Sequence, residues 1–168
     1  KEGLALNNGA TFSAAMAALA VRDAENLLAN AELALAMSLD AMRGFRDAYL
    51  PLVHQSGHPG QQGVAERVLQ YLEGSNLVQG SEYEEPQVLP PQDAYSLRCA
   101  PQVLGAVYDA LDFVRGVVSR EMNAATDNPL IFMELPRANK AVSCGNFHGQ
   151  AVALALDVLG MAVAEVGA

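Results

Sequence analysis

Tryptophan is absent from this 168-residue sequence, aromatic side chains make up only 6% of it, and cysteine occurs twice. The apolar share of 51% therefore comes chiefly from Ala, Leu and Val, and Ala and Leu are strong helix formers. Two cysteines, Cys99 and Cys144, exclude a disulfide framework and read as reduced thiols. The histidines at positions 54, 58 and 148 share no zinc-ligand spacing with them, so no metal is expected. Positive charge is also scarce, with 10 Lys and Arg against 19 Asp and Glu and a formal net charge of −9. That excludes recognition of a nucleic-acid backbone, which needs clustered cations, and a basic helix lying on a membrane surface. No uncharged apolar run approaches the ~20 residues that span a bilayer. No charged segment leads into an apolar run of the secretory type. A cytoplasmic protein is expected.

What the sequence does contain is helical periodicity. From about Ser13 to Met42 there is neither Pro nor Gly, and Leu19, Leu27, Leu28, Leu35 and Leu39 recur at helical spacing among alanines. A helix of that length is ~45 Å long, and its small Ala-rich face predicts a bundle or an oligomer core. Before it, residues 1–12 read as a turn-rich lead containing Asn7-Asn8-Gly9. Residues 54–62 read as a Gly- and Pro-bearing loop, followed by a short helix from about Gln61 to Leu72. Residues 73–91 read as one long extended loop. A helical region from Gln92 to Met122 is interrupted by Pro101, which predicts a short helix and then a long one with Pro101 near its first turn. Asp127-Asn128-Pro129 is a turn signal. Residues 130–134 read as a short strand or extended segment, and Phe147 to Val166 as a last apolar helix. The fold class expected is all-α: long antiparallel helices of a bundle core with one long loop.

Four clusters hold residue types that carry chemistry. Gln92, Tyr95 and Arg98 are spaced i, i+3, i+6, which on a helix places an amide, a phenol and a guanidinium on one broad face. A guanidinium fork suits a carboxylate ligand; a solvated polar face is the plain alternative. In Ser143-Cys144-Gly145-Asn146-Phe147-His148-Gly149 the glycines permit close backbone approach before a helix. There the plain alternatives are Asn146 as an N-cap and His148 as a hydrogen-bonded core residue. Leu6-Asn7-Asn8-Gly9 is equally a common turn. Glu121-Met122-Asn123 with Thr126-Asp127-Asn128-Pro129-Leu130 is equally a helix end and a turn.

Taken together and in order, these segments resemble one family. Lys1-Glu2-Gly3-Leu4-Ala5-Leu6, Gln92-Asp93-Ala94-Tyr95-Ser96-Leu97-Arg98-Cys99 with Pro101-Gln102-Val103, Asp127-Asn128-Pro129-Leu130 and Gly145-Asn146-Phe147-His148-Gly149 look like the histidine, tyrosine and phenylalanine ammonia-lyases. The resemblance runs over nearly the whole chain and is most specific at 92–98 and 146–149. It implies elimination of ammonia from an aromatic L-amino acid to give an α,β-unsaturated acid. It also implies a 4-methylideneimidazole-5-one (MIO) electrophile formed from an internal Ala-Ser-Gly, a tyrosine base, and a homotetramer whose active sites each draw on three subunits. By the resemblance, Arg98 binds the substrate carboxylate, Tyr95 lies beside the prosthetic group and assists proton movement, and Gln92 lines the pocket. Asn8 contacts imidazolone and substrate, while Phe147 packs near the imidazolone with Asn146 beside it.

Departures from the family pattern also follow. No Ala-Ser-Gly occurs in the sequence. In the family that tripeptide and the tyrosine base lie upstream of the segment that Lys1 begins, and a substrate-selecting helix residue lies downstream of Ala168. The chain, residues 1–168, is therefore expected to be a central helical part of a longer lyase. It would be inactive alone, with the missing parts of its own chain among its partners. Asn7 stands where an apolar residue is usual and Cys144 where Gly is usual. His148 leans towards the bacterial histidine and tyrosine lyases and related aminomutases, since plant phenylalanine enzymes usually carry Gln. An aminomutase of the same family, and a helical oligomerisation core without catalysis, stay open. The fumarase–aspartase superfamily is disfavoured for want of a Gly-Ser-Ser-x-Met-Pro-like loop.

Overall fold

The computed structural model describes residues 2–80, 92–136 and 140–168. Helices dominate, as the composition requires. They are α1 (Glu2–Asn7), α2 (Thr11–Met42), α3 (Pro59–Tyr71), α4 (Tyr95–Arg98), α5 (Ala100–Met122) and α6 (Gln150–Val166). A 3-10 turn covers Arg46–Tyr49. A two-residue antiparallel ladder pairs β1 (Leu130–Ile131) with β2 (Ala141–Val142), Leu130 opposite Val142. The all-α expectation is borne out.

The chain divides into two compact units, one of residues 1–23 and 112–161, the other of 24–111 and 162–168. In the first unit the core is Ala14, Ala17 and Val21 of α2, Val114 and Val118 of α5, and Val152, Ala155 and Leu159 of α6. In the second it is Ala24, Leu28, Ala36 and Leu39 of α2, Val64, Ala65 and Val68 of α3, and Leu104, Val107 and Leu111 of α5. Buried positions along α2 and α5 recur every three or four residues, the stripe of a helix that packs on one face. Small side chains at these positions let helix axes approach closely. In the second unit Gly60 of α3 meets Gly105 of α5. A Cβ at Gly60 would sit 2.1 Å from the Gly105 carbonyl, and one at Gly105 would sit 2.4 Å from the Gln61 backbone. Only glycine fits at this crossing.

Helix boundaries follow local chemistry. Residues 1–12 are not simply a turn-rich lead. Glu2–Asn7 is helical, and the helix stops where Gly9 takes φ +80°, a left-handed conformation that glycine adopts without strain. Helix α2 ends in a Schellman arrangement, with Arg43 at φ 55° and the Gly44 N–H bonded to the Leu39 carbonyl at 2.8 Å. Helix α3 starts at Pro59, two residues earlier than expected, because Pro suits the first helical position. The Gly60 N–H also finds the Asp109 carboxylate of α5 at 2.8 Å. Pro101 does fall in the first turn of the long helix.

The loop expected over 54–62 holds for 54–58, while 59–62 are already helical. His54 is buried. Its Nε2 lies 2.8 Å from the Ala48 carbonyl, which can only accept, so Nε2 carries the proton and Nδ1 accepts from the Gln61 amide at 2.9 Å. Of the long loop expected over 73–91, residues 81–91 lie outside the described residues. The part before them is tied down. Gln79 exchanges backbone hydrogen bonds with Gly44 and Arg46, both at 2.8 Å, and its side chain donates to the Arg43 carbonyl at 2.7 Å. Among the described residues no helix is long and apolar enough to cross a membrane.

Candidate functional site

The 92–98 segment belongs to the second unit. Helix α4 holds only Tyr95–Arg98, so Gln92 precedes it, exposed, and the expectation of three residues on one helical face is corrected. The helix begins at Tyr95 because Ala94, at φ −58° and ψ 154°, is extended. Tyr95 and Arg98 are brought together, the guanidinium carbon 4.6 Å from the ring centroid in a cation–π stack. The Arg98 Nε donates to the Asp93 carbonyl at 2.9 Å. The outer face of Tyr95 is open, with 72% of the residue exposed. The stack thus presents a fixed cation beside a phenol.

Two residues outside the sequence-derived candidates hold this segment. The Asp93 carboxylate accepts the Phe45 N–H at 2.7 Å. The fully buried Tyr49 donates its hydroxyl to the Leu97 carbonyl at the far end of α4. Burial pushes the Tyr49 phenol far above its ordinary value, and the neighbouring Asp93 and Cys99 push it the same way. Asp93 stands inside the 92–99 motif, but its role depends on Phe45, 48 positions away, and no local pattern announces that. The same unit has an open cleft of about 600 Å³ lined in part by Leu35, Ser38, Tyr95, Cys99 and Val103.

In the first unit the other three clusters are joined by residues 126–128. The Asn8 amide donates to Asp127 Oδ1 at 2.6 Å, and that oxygen also accepts the Asn128 N–H at 2.7 Å. The Asn128 side-chain oxygen accepts the Cys144 N–H at 2.8 Å and the Ser143 hydroxyl at 3.2 Å. The Asn146 amide donates to the Ala125 carbonyl at 3.4 Å. The chain at Gly9 runs directly against Thr126, where a Cβ would lie 1.9 Å from the carbonyl oxygen. So Asn8 and the Asn146–Phe147 turn, far apart in sequence, hang on one short segment. In the sequence Asp127 and Asn128 look like a turn and no more, because their partners lie 119 and 16 positions away.

Helix α6 starts at Gln150, not at Phe147. Residues 145–148 form a turn, closed by the His148 N–H to the Gly145 carbonyl at 3.0 Å. Neither plain alternative holds at this turn: Asn146 is not the N-cap of α6, and His148 is exposed rather than in the core. The His148 Nδ1 accepts the Gln150 N–H at 3.2 Å, taking up one of the donors that a helix start leaves unpaired. Phe147 is left half-exposed. The Asn123 side chain donates to the Ser119 carbonyl at 2.8 Å, an ordinary helix end. Cys99 and Cys144 are both free thiols. Among the described residues no group of three or more His, Cys, Asp or Glu is placed to hold a metal ion.

Comparison with known proteins places this arrangement. A family profile described as aromatic amino acid lyase matches residues 1–168. The histidine ammonia-lyase of Anaeromyxobacter sp. (strain K) is 48% identical over 169 aligned positions, covering 100% of this chain and 32% of that protein. The chain therefore spans about a third of the length of such relatives. The crystal structure of histidine ammonia-lyase from Trypanosoma cruzi superposes with a TM-score of 0.81 at 42% identity, over 99% of this chain and 29% of that one. Tyrosine aminomutase from Streptomyces globisporus superposes with a TM-score of 0.89 at 32% identity, over 99% and 34%.

Proposed function

The chain belongs to the aromatic amino acid lyase family, and from that premise we propose that it is the part of an ammonia-lyase that grips the substrate carboxylate and lines the reacting centre. The substrate class is an aromatic L-amino acid, with histidine foremost. The observation that carries the reading is the Arg98–Tyr95 stack, with Nε pinned to the Asp93 carbonyl. A guanidinium held by its inner nitrogen offers its two terminal nitrogens as a pre-set fork for a carboxylate. Tyr95, held under that cation with an open face, is placed to pass or hold a proton near the bound acid. Gln92, exposed just before α4, is proposed as a further residue lining the pocket.

The Asn8 amide and the half-exposed Phe147 ring supply a polar and a flat apolar contact from segments held by residues 126–128. That pairing suits a flat polar heterocycle such as MIO. The sequence contains no Ala-Ser-Gly to form it, so the group comes from other residues of the enzyme. When bound, it supplies the electrophile that activates the leaving amine. A homotetramer is proposed as the working form. The large apolar side chains that α2 leaves exposed near its start, Phe12, Met16 and Leu19, support it, because an exposed apolar patch marks an interaction surface.

An aminomutase is the second reading, favoured by the tyrosine aminomutase superposition. The test is product analysis of the full-length protein with histidine, tyrosine and phenylalanine. Equal yields of ammonia and an absorbing unsaturated acid are expected from histidine. A β-amino acid product would replace the lyase by the mutase, and no product from any of the three would overturn both.

A further inference from the structure

Asn8 is held more tightly than a pocket-lining amide requires, and its partner is a carboxylate. We propose that Asp127 is a positioning residue that fixes which end of the Asn8 amide faces the reacting centre; the inference rests on the reading of Asn8 as a site residue given above. A carboxylate only accepts hydrogen bonds, so the Asn8 group 2.6 Å from Asp127 Oδ1 is the NH2 end. Flipping the amide would set its oxygen against the carboxylate, oxygen to oxygen. The flip is therefore disfavoured, and Oδ1 of Asn8 is held on the side away from Asp127. The amide then presents Oδ1 and its second N–H in fixed positions, an acceptor and a donor whose order Asp127 sets.

Further contacts fix Asp127 and the residues on either side of it. Its Oδ1 also accepts the Asn128 N–H at 2.7 Å. The Asn128 side chain is bonded to Cys144 and Ser143 at 2.8 and 3.2 Å. The backbone at Gly9, φ +80°, is pressed on Thr126 so closely that no side chain fits between them. The chain around Asn8 thus cannot drift relative to Asp127, and the amide orientation is set by charge rather than by chance packing.

The test uses the full-length protein with Asp127→Asn, Asp127→Ala, Asn8→Ala and the double variant Asp127→Asn/Asn8→Ala. Asparagine at 127 keeps the size and can still hydrogen-bond, but it offers either its oxygen or its NH2 and so no longer dictates the flip. Asp127→Ala should lower kcat about 10- to 100-fold, and Asp127→Asn less steeply, with KM changing little in both. The near-ultraviolet difference spectrum of each Asp127 variant should match in sign that of Asn8→Ala. In the Asn8→Ala background, replacing Asp127 should change kcat by less than about twofold, because the two act as one unit. Additive losses in the double variant, or wild-type kcat and spectrum in Asp127→Asn, overturn the role of Asp127 while leaving Asn8 in the site. Wild-type kcat in Asn8→Ala overturns the reading of Asn8 and the inference with it. Should Asp127→Ala not fold, the Asp127→Asn arm decides the matter.

Discussion

At the scale of single residues, the site depends on how side chains are aimed rather than on which are present. Arg98 is a good carboxylate ligand anywhere on a surface, but here its Nε is taken by the Asp93 carbonyl and its plane by the Tyr95 ring. Only the two terminal nitrogens remain in fork geometry. Arg98→Ala in the full-length protein should lower kcat/KM about 100-fold or more, the loss of charge-assisted hydrogen bonds to an anion. Its thermal midpoint should stay close to wild type, since its described partners, Asp93 and Tyr95, lie outside the core. Arg98→Lys should recover part of the loss, because a point charge keeps the attraction but not the fork. Steady-state kinetics with circular dichroism melting checks both. An Arg98→Ala enzyme that melts early but turns over normally would move Arg98 out of the site.

Much at this scale is legible in the sequence. The residue types at 92, 95, 98, 8, 146 and 147 carry the resemblance by themselves. Asp127 is legible as a turn former but not as the partner of Asn8, because that bond spans 119 positions. The shared helical face expected for Gln92, Tyr95 and Arg98 does not form. Periodicity assumes a helix that continues, and α4 has a single turn.

At the scale of elements, the second unit is fastened by an ion pair between helices. Glu32 of α2 is almost wholly buried and accepts two hydrogen bonds from Arg67 of α3, Nε to Oε2 at 2.8 Å and Nη2 to Oε1 at 2.6 Å. Tyr108 of α5 lies under the same guanidinium, whose carbon is 4.6 Å from the ring centroid. The bonds to Glu32 push the Arg67 guanidinium further up, against the opposing effect of burial. Removing Arg67 strands a buried carboxylate, which costs about 3–5 kcal/mol for a fully buried pair. The cost is lower here because the Arg67 side chain is 39% exposed and solvent screens it. Arg67→Ala should therefore destabilise by about 2–3 kcal/mol. Glu32→Gln, which leaves no buried charge, should cost less, and Glu32→Gln/Arg67→Met less than Arg67→Ala alone. Denaturant unfolding of the four proteins measures this. Equal costs for Arg67→Ala and the double variant would mean that the stranded charge is not what matters.

The helical stripe of α2 is plain from spacing. A glutamate inside that stripe is not, since in one dimension it reads as an interruption of the apolar surface. Only the packing of α3 and α5 against α2 reveals its partners.

At the scale of the whole molecule, the buried Tyr49 links stability to pH. Its folded-state phenol is raised above the ordinary 10.0, chiefly by burial and then by Asp93 and Cys99. Below pH about 10 both folded and unfolded chains keep the proton, and the stabilisation is fully present. Above it the unfolded chain releases the proton while the folded chain cannot, so stability falls as pH rises towards the folded value. Burial raises Tyr108 in the same direction. The melting temperature should decline steeply above pH about 10. Tyr49→Phe should shallow that decline, leaving the share due to Tyr108, and should lower stability at neutral pH by about 1 kcal/mol, the net worth of one buried hydrogen bond, since the Leu97 carbonyl keeps the Cys99 N–H. Melting curves between neutral and alkaline pH in both proteins give the comparison. Parallel curves would mean that Tyr49 titrates freely.

The sequence alone determined that this is a helical protein, where its long helices run and to which family it belongs. Those properties are local or cumulative: propensity adds along the chain, periodicity repeats within a helix, and a motif is a short string. Tertiary structure decided which groups face one another. It brought Asp127 to Asn8, Asn128 to Cys144, Asp93 to Phe45, Tyr49 to Leu97 and Glu32 to Arg67. Each of these is a short-range bond between residues distant in the chain. Its formation depends on helix packing that leaves no periodic trace in the order of amino acids.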